Sequence, residues 1–326
     1  MALAADAAIY TPPAAIATFA RRGDLLPLWW CNQSDVVMAS PPSEEWITNV
    51  KQRYNLGGTI FKERTFNDDK NIFALEPWGW SRDAANRLRR FGKVPDDIEA
   101  IRELSHRRTS IAILQSLGYA NIPRECNSVK DAVSEIERLS GNAVIKTPWS
   151  CSSRGVRKVP ELTNKSLISF INASINRTGG IIVESLYSKT LDFAALFKSQ
   201  NGKVIFTGWS VFKTGNHGMY VGNIVDSQCR LTELIPDKAQ SLIPQLEDVL
   251  TSLIPTHYTG MLGVDMLQTT DGEICPCVEL NLRRTMGHVA MDIHTHTGMR
   301  GLLNSAPQKT EPLLWVTPDL FRLDIL

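Results

Sequence analysis

Two apolar runs separated by a short polar turn are the feature that most restricts how this chain can fold. The runs extend from Met261 to Leu267 and from Ile274 to Asn281, and Asp271-Gly272 lies between them. An Asp-Gly pair between apolar runs is a strong hairpin signal, because both residues accept the positive φ values of a tight turn. The sequence therefore predicts two adjacent antiparallel strands here.

Three oxygen-bearing side chains interrupt these otherwise apolar strands. Reflecting the hairpin about Asp271-Gly272 places Asp265 opposite position 278, so a small irregularity would pair it with Glu279. Glu279 and Asn281 are two residues apart and project from the same strand face. Two carboxylates and an amide oxygen form the all-oxygen type of site that Mg²⁺ prefers. A solvated hairpin face is the alternative, but burying uncompensated acids in apolar strands is costly.

Charged residues also lie at or near other short apolar runs, and they are further candidates for a binding site. Arg283 extends the hairpin face with a guanidinium that suits phosphate or carboxylate. Lys146 ends a short apolar strand and leads into a loop of small hydroxyl residues, 148–156, that can cradle phosphates. Glu184 interrupts the apolar run Ile181–Tyr187. Taken singly, the loop also fits an ordinary serine-rich turn, and Glu184 fits the edge of a sheet.

The rest of the chain alternates helical and strand-like segments. Helix-like spacing of apolar residues and cap signals predict helices at Ser43–Tyr54, Ser81–Phe91, 96–117, 128–139 and Ser166–Ile175. Asp237–Leu253 is predicted as one longer helix bent at Pro244. Apolar runs predict strands at Leu25–Trp30, Gly58–Phe61, Ala143–Lys146, Ile181–Tyr187, Leu191–Phe197 and Val204–Val211. Antiparallel hairpins among helices favour an α+β (α/β) fold over one parallel sheet.

The composition excludes several classes of partner. The 326 residues carry a formal net charge of +1, which provides no general attraction to nucleic acid or an anionic membrane. The alanine-rich start has no Lys or Arg before Arg21 and is interrupted by Pro12-Pro13, unlike an export signal. No charge-free stretch approaches the about 20 apolar residues that span a bilayer. With six scattered cysteines, we predict a cytoplasmic protein with reduced thiols and no nucleic-acid or membrane partner.

Three smaller clusters permit other functions. The histidines that follow the hairpin are His288, His294 and His296. They could form a zinc site, but a structural or substrate-pocket role is favoured. Cys275 and Cys277 share a strand face and would form a thiol clasp, but packing is the favoured interpretation. The basic segment Ser105–Arg108 could touch nucleic acid, yet it is short and isolated.

The order and spacing of the motifs resemble the ATP-grasp superfamily. The resemblance covers about 96–288, and these motifs carry it: Lys146 with its small-residue loop, Glu184, Gly263-Val264-Asp265 and Glu279-Leu280-Asn281-Leu282-Arg283. It implies the ATP-grasp fold, in which two α+β lobes sandwich ATP, preceded here by an N-terminal pre-ATP-grasp-like α/β domain. The predicted boundaries are 1–94 for that domain, 95–188 for the N-terminal lobe, and 189–326 for the C-terminal lobe with its Mg²⁺ site.

The same resemblance implies roles for individual residues. Those implied to contact the nucleotide are Arg107, Lys146, Ser152, Ser153, Arg154, Gly155, Glu184, Ser185, Leu186, Tyr187 and Asp192. Among them, Lys146 and Arg107 are implied to contact phosphates, and Ser185–Tyr187 to hold adenine. The residues implied to bind the metal are Asp265, Glu279 and Asn281. Arg283 and Lys146 are the implied catalytic residues, because they would stabilise the transferred phosphoryl group.

The implied activity is that of an ATP- and Mg²⁺-dependent ligase, with Mn²⁺ as an alternative ion. It would join a small-molecule carboxylate to an amine (or thiol) through an acyl phosphate, releasing ADP and phosphate. A phosphotransferase and a non-catalytic nucleotide-binding protein are the alternatives. The substrate is expected near a polar loop that includes Lys213, Asn216, His217, Tyr220 and Asn223. The prediction also allows a homodimer.

Overall fold

The computed structural model describes residues 14–62, 73–149, 155–215, 218–256, 258–305 and 310–326. Within these residues, the strands form two antiparallel sheets and one small parallel pair. Ser152, Ser153 and Arg154 of the predicted phosphate loop lie outside the described residues, as do Asn216 and His217 of the predicted substrate loop. No helix in the described ranges is long and apolar enough to cross a lipid bilayer.

The N-terminal region combines short helices with a two-stranded parallel pair. Its elements are α1 (Ala14–Arg22), β1 (Val36–Met38), α2 (Glu44–Trp46), β2 (Thr59–Phe61) and α3 (Arg82–Leu88). α2 begins where the Ser43 hydroxyl accepts a hydrogen bond from the Trp46 amide at 3.2 Å, and it continues as a π-helix through Ile47–Gln52. The helices predicted at Ser43–Tyr54 and Ser81–Phe91 are therefore confirmed.

The strand predicted at Leu25–Trp30 is wrong. Leu26–Trp29 forms a 3₁₀ helix, and Pro27 lies in its first turn. Proline has its φ already near a helical value, and its missing N–H is not needed in a first turn. The apolar residues Leu26, Leu28 and Trp29 are all buried in this turn, so their burial did not require an extended strand.

The smaller antiparallel sheet lies in the middle of the chain, in a part that also contains four helices, of which α6 and α7 pack on this sheet. The helices are α4 (Ile98–Leu104), α5 (Arg108–Ser116), α6 (Val129–Arg138) and α7 (Asn164–Thr178). The strands are β3 (Arg124–Cys126), β4 (Ala143–Lys146), β5 (Val156–Lys158) and β6 (Ile181–Ser185), in the order β3-β6-β4-β5. The Ser128 hydroxyl caps α6 by accepting from the Asp131 amide at 3.1 Å, which confirms that predicted start.

The larger antiparallel sheet begins with the long strands β7 (Lys189–Gln200) and β8 (Lys203–Thr214). Its other strands are β9 (Tyr220–Val225), β10 (Gly260–Thr269), β11 (Ile274–Asn281), β12 (Gly301–Asn304), β13 (Leu314–Trp315) and β14 (Arg322–Asp324). Among the described residues the strand order is β11-β10-β7-β8-β9-β12-β14-β13. The helices that accompany it are α8 (Gln228–Leu234), α9 (Asp237–Gln240), α10 (Ile243–Leu253) and α11 (Met286–Thr297). The predicted α+β class is confirmed.

The single bent helix predicted over Asp237–Leu253 is wrong in one respect. The segment consists of two helices, α9 and α10, and Pro244 lies in the first turn of α10. Proline is tolerated in a first turn, where its N–H has no helical partner to lose. Pro244 therefore marks the start of a new helix and does not bend an existing one.

The two faces of the larger sheet have different environments. One face is apolar, with side chains such as Phe193, Trp209 and Val264 packed in one core with residues of α5 and α10. The opposite face carries α11 across β8 and β9. α11 does not cover the end of this second face where Asp265 and Glu279 lie. These two acids, which the sequence predicted on the hairpin, are neighbours on adjacent strands.

The close contact of α11 with the sheet depends on Gly287. A Cβ at this position would lie 2.6 Å from the Ser210 Cβ and 3.3 Å from a Leu196 methyl. Gly287→Ala is expected to lower the free energy of unfolding by about 1–3 kcal/mol, because overpacking outweighs the better helix propensity of alanine. Denaturant titration measures this change. Thr295→Ala, at an exposed position of the same helix, should change stability by less than about 0.5 kcal/mol, and equal effects of the two would contradict the expectation.

Candidate functional site

The acid pair on the hairpin is formed by direct pairing of the two strands. Asp265 is the register partner of Glu279, and Gly263 is the partner of Asn281. The register shifts between Asp265 and Leu267, which is the irregularity that the sequence predicted. The Asn281 side-chain amide donates to the Asp265 carboxylate at 3.0 Å. Two carboxylates and an amide therefore lie side by side on one sheet face.

A third acid lies on the neighbouring strand. Asp192 of β7 is paired with Leu267, two residues along β10 from Asp265. Burial raises the pKa of Asp265 to about 7, and the nearby charges of Glu279 and Asp192 add to this rise against the opposing effect of Arg283. Three acids therefore lie close together here, and the nearby cation does not fully offset the cost of charging Asp265.

Glu279 has the opposite balance, because cations surround it. Arg107 donates to the Glu279 carboxylate at 2.9 Å, and its other terminal nitrogen donates to the Thr147 carbonyl at 2.8 Å. Burial alone would raise the pKa of Glu279, but Arg107, Lys146 and Arg283 together hold it below its ordinary value. Arg107 is itself buried, with 6% of its surface exposed, so it connects the end of β4 to β11 across the two sheets.

Lys146 and Glu184 form an ion pair on the smaller sheet. The lysine nitrogen lies 2.5 Å from a Glu184 oxygen, and both side chains are largely buried. The register of β4 and β6 pairs Val144 with Glu184 and Lys146 with Ile182, which puts the two charged residues on the same face. The carbonyl of Gly155 at the end of the predicted phosphate loop accepts from the Thr147 amide at 2.8 Å, next to Lys146.

The segment after Glu184 crosses from one sheet to the other. Ser185 ends β6, the Leu186 amide donates to the Asn142 carbonyl at 2.9 Å, and the Tyr187 hydroxyl lies 3.4 Å from that of Tyr119. The backbone of Ser185–Tyr187 is therefore held at the point where the chain enters β7. Burial raises the pKa of Tyr187, and the bond to Tyr119 adds to the rise, so the hydroxyl stays protonated.

Asp192 and Arg283 complete the set of predicted residues. The Asp192 carboxylate accepts from the Lys189 ammonium at 2.7 Å and from the Thr214 hydroxyl at 2.6 Å. Arg283 donates to the Asn281 side-chain oxygen at 2.8 Å and to the Arg284 carbonyl at 3.0 Å. The partners of Asp192 and Arg283 therefore lie on strands of the larger sheet or directly after β11.

Comparison with known proteins identifies the fold. Neither the protein-family models nor the curated proteins match the chain. Among solved structures, it is similar to N5-carboxyaminoimidazole synthetase from Staphylococcus aureus, at 15% identity and a TM-score of 0.55, over 87% of this chain and 79% of that one. It is also similar to N5-carboxyaminoimidazole synthase from Aspergillus clavatus in complex with ADP and 5-aminoimidazole ribonucleotide, at 12% identity and a TM-score of 0.50, over 82% and 80%. The chain has the ATP-grasp fold.

A third similarity concerns a larger protein. The biotin carboxylase domain of the 2-oxoglutarate carboxylase from Hydrogenobacter thermophilus is 14% identical, with a TM-score of 0.46, over 62% of this chain. The chain spans about half of that domain, because the match covers 47% of it. At identities of this order the comparisons establish the ATP-grasp fold of the chain, and they assign it no reaction.

The ATP-grasp fold implies a divalent cation, and the hairpin residues fit one. Asp265, Glu279 and Asn281 supply only oxygen ligands with two negative charges, which suits Mg²⁺. Burial and the charge of Glu279 raise the pKa of Asp265 despite the nearby Arg283, and a bound cation would favour the charged form of this carboxyl. Arg107 donates to Glu279 and Arg283 donates to Asn281, so both guanidinium groups lie beside the candidate metal ligands.

The residues predicted near the substrate belong to a separate polar cluster. The Tyr220 hydroxyl donates to the Asn223 side chain, which in turn donates to the Ser210 hydroxyl at 2.6 Å. Asn223 is buried, with 2% of its surface exposed. Lys213 lies on β8 next to this cluster, paired with Gly222. The substrate role of these residues stays a prediction.

The histidines after the hairpin have contacts within the protein. His288 is buried and closes a capping box with Thr285 at the start of α11. His294 contacts the Met299 carbonyl at 2.8 Å, and His296 packs edge-on against Trp29. In the described ranges, no group of three or more His, Cys, Asp or Glu residues is placed to hold a metal. These contacts support structural roles for the histidines.

The other two clusters singled out in the sequence are also engaged in packing. Cys275 and Cys277 are buried, and burial raises the pKa of Cys275 to about 11, which keeps it a thiol. In Ser105–Arg108, His106 and Arg107 are buried and Arg108 pairs with Glu103. The contacts of Ser105–Arg108 are therefore with protein groups.

Residues 75–80 border the site, a position that the sequence did not predict. They line a narrow cleft together with 258–261 and the two arginines that follow β11, Arg283 and Arg284. The concentration of Trp78 and Trp80 beside Pro77 and Gly79 is the available signal, but by itself it indicates only a break before the next helix. The sequence does not show where this segment packs, because its position depends on tertiary contacts.

Proposed function

We propose that the protein is an ATP- and Mg²⁺-dependent ligase that joins a carboxylate to an amine (or thiol) through an acyl phosphate. The observation that supports this most is the meeting of Asp265 and Glu279 with Lys146, Arg107 and Arg283 between the two sheets. The acids would hold the metal, and the cations would face the phosphates that the metal binds. Such an arrangement stabilises phosphoryl transfer by position and charge, without a protein nucleophile.

The nucleotide would lie between the two sheets of the ATP-grasp fold. Lys146, held by Glu184 at 2.5 Å, would contact phosphate oxygens, and Ser185–Tyr187 would offer backbone groups to adenine. Asp192 would reach the ribose in exchange for its present contacts with Lys189 and Thr214. In the proposed complex, Ser152, Ser153, Arg154 and Gly155 would cover the β- and γ-phosphates.

The metal ligands in this proposal are Asp265, Glu279 and Asn281, with Mn²⁺ as an alternative ion. When bound, Mg²⁺ would offset the charge that gathers on the phosphate oxygens during transfer. Arg107 and Arg283 contact two of these ligands at 2.9 and 2.8 Å, so both cations would be beside the phosphates that the ion binds.

The proposed reaction has two steps. A carboxylate oxygen of the substrate attacks the γ-phosphorus, the bond to the β–γ bridging oxygen breaks, and ADP leaves with that electron pair. The amine then attacks the acyl carbon, the bond to the phosphate oxygen breaks, and phosphate leaves while the amine loses a proton to solvent. Arg283, on the hairpin face next to Asn281, would stabilise charge on the phosphoryl oxygens in both steps.

Hydroxylamine trapping tests this proposal. Purified protein with ATP, Mg²⁺, hydroxylamine and a panel of carboxylic acids is expected to form a hydroxamate, because hydroxylamine captures an acyl phosphate. Product should require both ATP and the acid, and one ADP should form per hydroxamate. A stable phosphorylated product without any amine would instead indicate a phosphotransferase. ATP binding without turnover on any acid would indicate a nucleotide-binding protein.

The partners in this proposal are a small-molecule carboxylate and an amine, with a homodimer as a permitted assembly. A cytoplasmic location agrees with the thiols, since Cys31, Cys126, Cys229, Cys275 and Cys277 are free among the described cysteines. Size-exclusion chromatography with light scattering distinguishes a monomer from a dimer directly.

A further inference from the structure

The oxygen atoms of the candidate metal ligands already accept hydrogen bonds from protein groups. The Glu279 carboxylate accepts from the Arg107 guanidinium at 2.9 Å. The Asn281 side-chain oxygen accepts from the Arg283 guanidinium at 2.8 Å. The Asp265 carboxylate accepts from the Asn281 side-chain nitrogen at 3.0 Å. In each of the three side chains, an oxygen that a cation would bind therefore faces a hydrogen-bond donor.

The orientation of the Asn281 amide is fixed by its neighbours on both sides. A guanidinium has only donors and a carboxylate has only acceptors, so the amide oxygen faces Arg283 and the amide nitrogen faces Asp265. The nitrogen end of an amide carries hydrogens and does not bind a cation. Asn281 and Asp265 can therefore share a cation only after the amide turns, and that turn requires Arg283 to release the oxygen.

Arg107 is held at Glu279 by its position as well as by the ion pair. Its other terminal nitrogen donates to the Thr147 carbonyl at 2.8 Å, and the side chain is buried. A buried guanidinium gives up a carboxylate at a high cost unless another acceptor takes its place. A metal ion offers no acceptor. An ion that bound Glu279 alone would therefore leave Arg107 without compensation for the lost bond.

The charges of the two arginines also oppose a cation that arrives alone. Against the effect of burial, Arg107 and Arg283 help to hold the pKa of Glu279 below its ordinary value, so both lie within electrostatic range of this carboxylate. A divalent ion at Glu279 would meet both positive charges at short range. Phosphate groups would remove this opposition, because they carry negative charge and accept charge-assisted hydrogen bonds from guanidinium groups.

We propose that Arg107 and Arg283 compete with a free cation for the metal ligands, so that the site binds the cation only together with a polyphosphate. In this exchange the phosphates accept hydrogen bonds from the two competing arginines, and the ligand side chains become available to the ion. The inference rests on the proposed function for the identity of the ligands, and it adds how their binding is coupled. It concerns binding alone, so it is independent of the acid and the amine.

Titrations with Mn²⁺ alone and with preformed Mn²⁺–ADP test the proposal without any turnover. Both are made at pH 8, above the pKa of about 7 of Asp265, with EPR of free Mn²⁺ for the first and calorimetry for the second. In Arg107→Met, Mn²⁺ alone should bind about tenfold more tightly, because Glu279 is released. Mn²⁺–ADP should bind about tenfold more weakly, because a phosphate contact is lost. Arg283→Met, which releases Asn281, should shift both affinities in the same directions.

The matched control is the neighbouring arginine on α5. Arg108 carries the same charge as Arg107, but its ion pairs are with Glu103 and Glu125. Arg108→Met should leave the affinities for Mn²⁺ and for Mn²⁺–ADP within about twofold of the original protein. Arg107→Lys keeps the charge but not the fork of donors, so both of its affinities should lie between those of the original protein and Arg107→Met. Circular dichroism of each variant checks that it is folded.

Opposite shifts in the two titrations are the result that a merely structural role would not produce. Unchanged binding of Mn²⁺ alone in both methionine variants, or weaker binding of Mn²⁺ and Mn²⁺–ADP together in folded variants, would overturn the competition. Hydroxamate formation by a protein with either of those results would leave the ligase function intact. Opposite shifts in a protein that turns over no acid would support the competing arginines and refute the ligase.

Discussion

Glu279→Gln is expected to lower the rate of ATP-dependent product formation by about 10²- to 10³-fold. Glu279 is the acid on which the effects of Arg107, Lys146 and Arg283 converge, and these cations hold its pKa below the ordinary value. Glutamine keeps the shape but removes the charge that the metal and the surrounding cations require. Coupled-enzyme detection of ADP measures the rate, and calorimetry with Mg²⁺ and ADP measures the accompanying loss of affinity.

A matched control lies on the same hairpin. Glu273 is exposed next to the turn and forms a surface ion pair with Lys238 at 2.9 Å. Glu273→Gln removes one negative charge from the same strand region but none from the site, so turnover should be unchanged. If the two glutamine variants retain similar activity, Glu279 does not belong to the metal site, and the proposed function loses its main support.

Asp265→Asn is expected to stabilise the ligand-free protein while abolishing Mg²⁺-dependent turnover. Burial, together with the negative charges of Glu279 and Asp192, raises the pKa of Asp265 from its ordinary 3.8 to about 7. Between these values the folded protein binds a proton that the unfolded chain does not, so stability falls as pH rises from 3.8 to about 7. The difference corresponds to at most about 4 kcal/mol, since solvent contact at Asp265 reduces it.

Denaturant titrations from pH 4 to pH 8.5 measure this effect. The asparagine variant lacks the ionising group, so its advantage should be small near pH 4, grow to about pH 7 and stay constant above that. Asp271→Asn, at the exposed hairpin turn, is the control: hydrogen bonding to the Thr269 hydroxyl lowers the pKa of Asp271, so its replacement brings no gain at high pH. A loss of stability at pH 8 in Asp265→Asn would contradict the charge balance described here.

The predicted hairpin shows what local pattern can determine. Apolar runs about an Asp-Gly turn predict strands at Met261–Leu267 and Ile274–Asn281, and β10 and β11 contain both runs. The strand predicted at Ala143–Lys146 is correct at both ends. These elements depend on the spacing of neighbouring residues, which the sequence displays directly. By contrast, Leu25–Trp30 forms a 3₁₀ helix, because apolar character alone does not distinguish a buried turn from a buried strand.

Within the candidate site, the sequence identifies residue types more reliably than their partners. It places Asp265 within one position of Glu279, and the register shift between Asp265 and Leu267 supplies the remaining step. It does not predict that Arg107 binds Glu279, since 172 residues separate the two. Such contacts depend on how the two sheets pack against each other, and no local sequence pattern shows that packing.

The sequence by itself determined the two acids and the amide on one strand face, the lysine at the end of a short strand, and their order along the chain. Alternation and turn chemistry are local properties, so they follow from neighbouring residues alone. Only the tertiary structure decided that Lys146 and Arg107 face Glu279, and that Trp78 forms a wall beside Arg283. These placements result from burial of apolar surface between distant segments, a force without direction that acts on the whole chain at once.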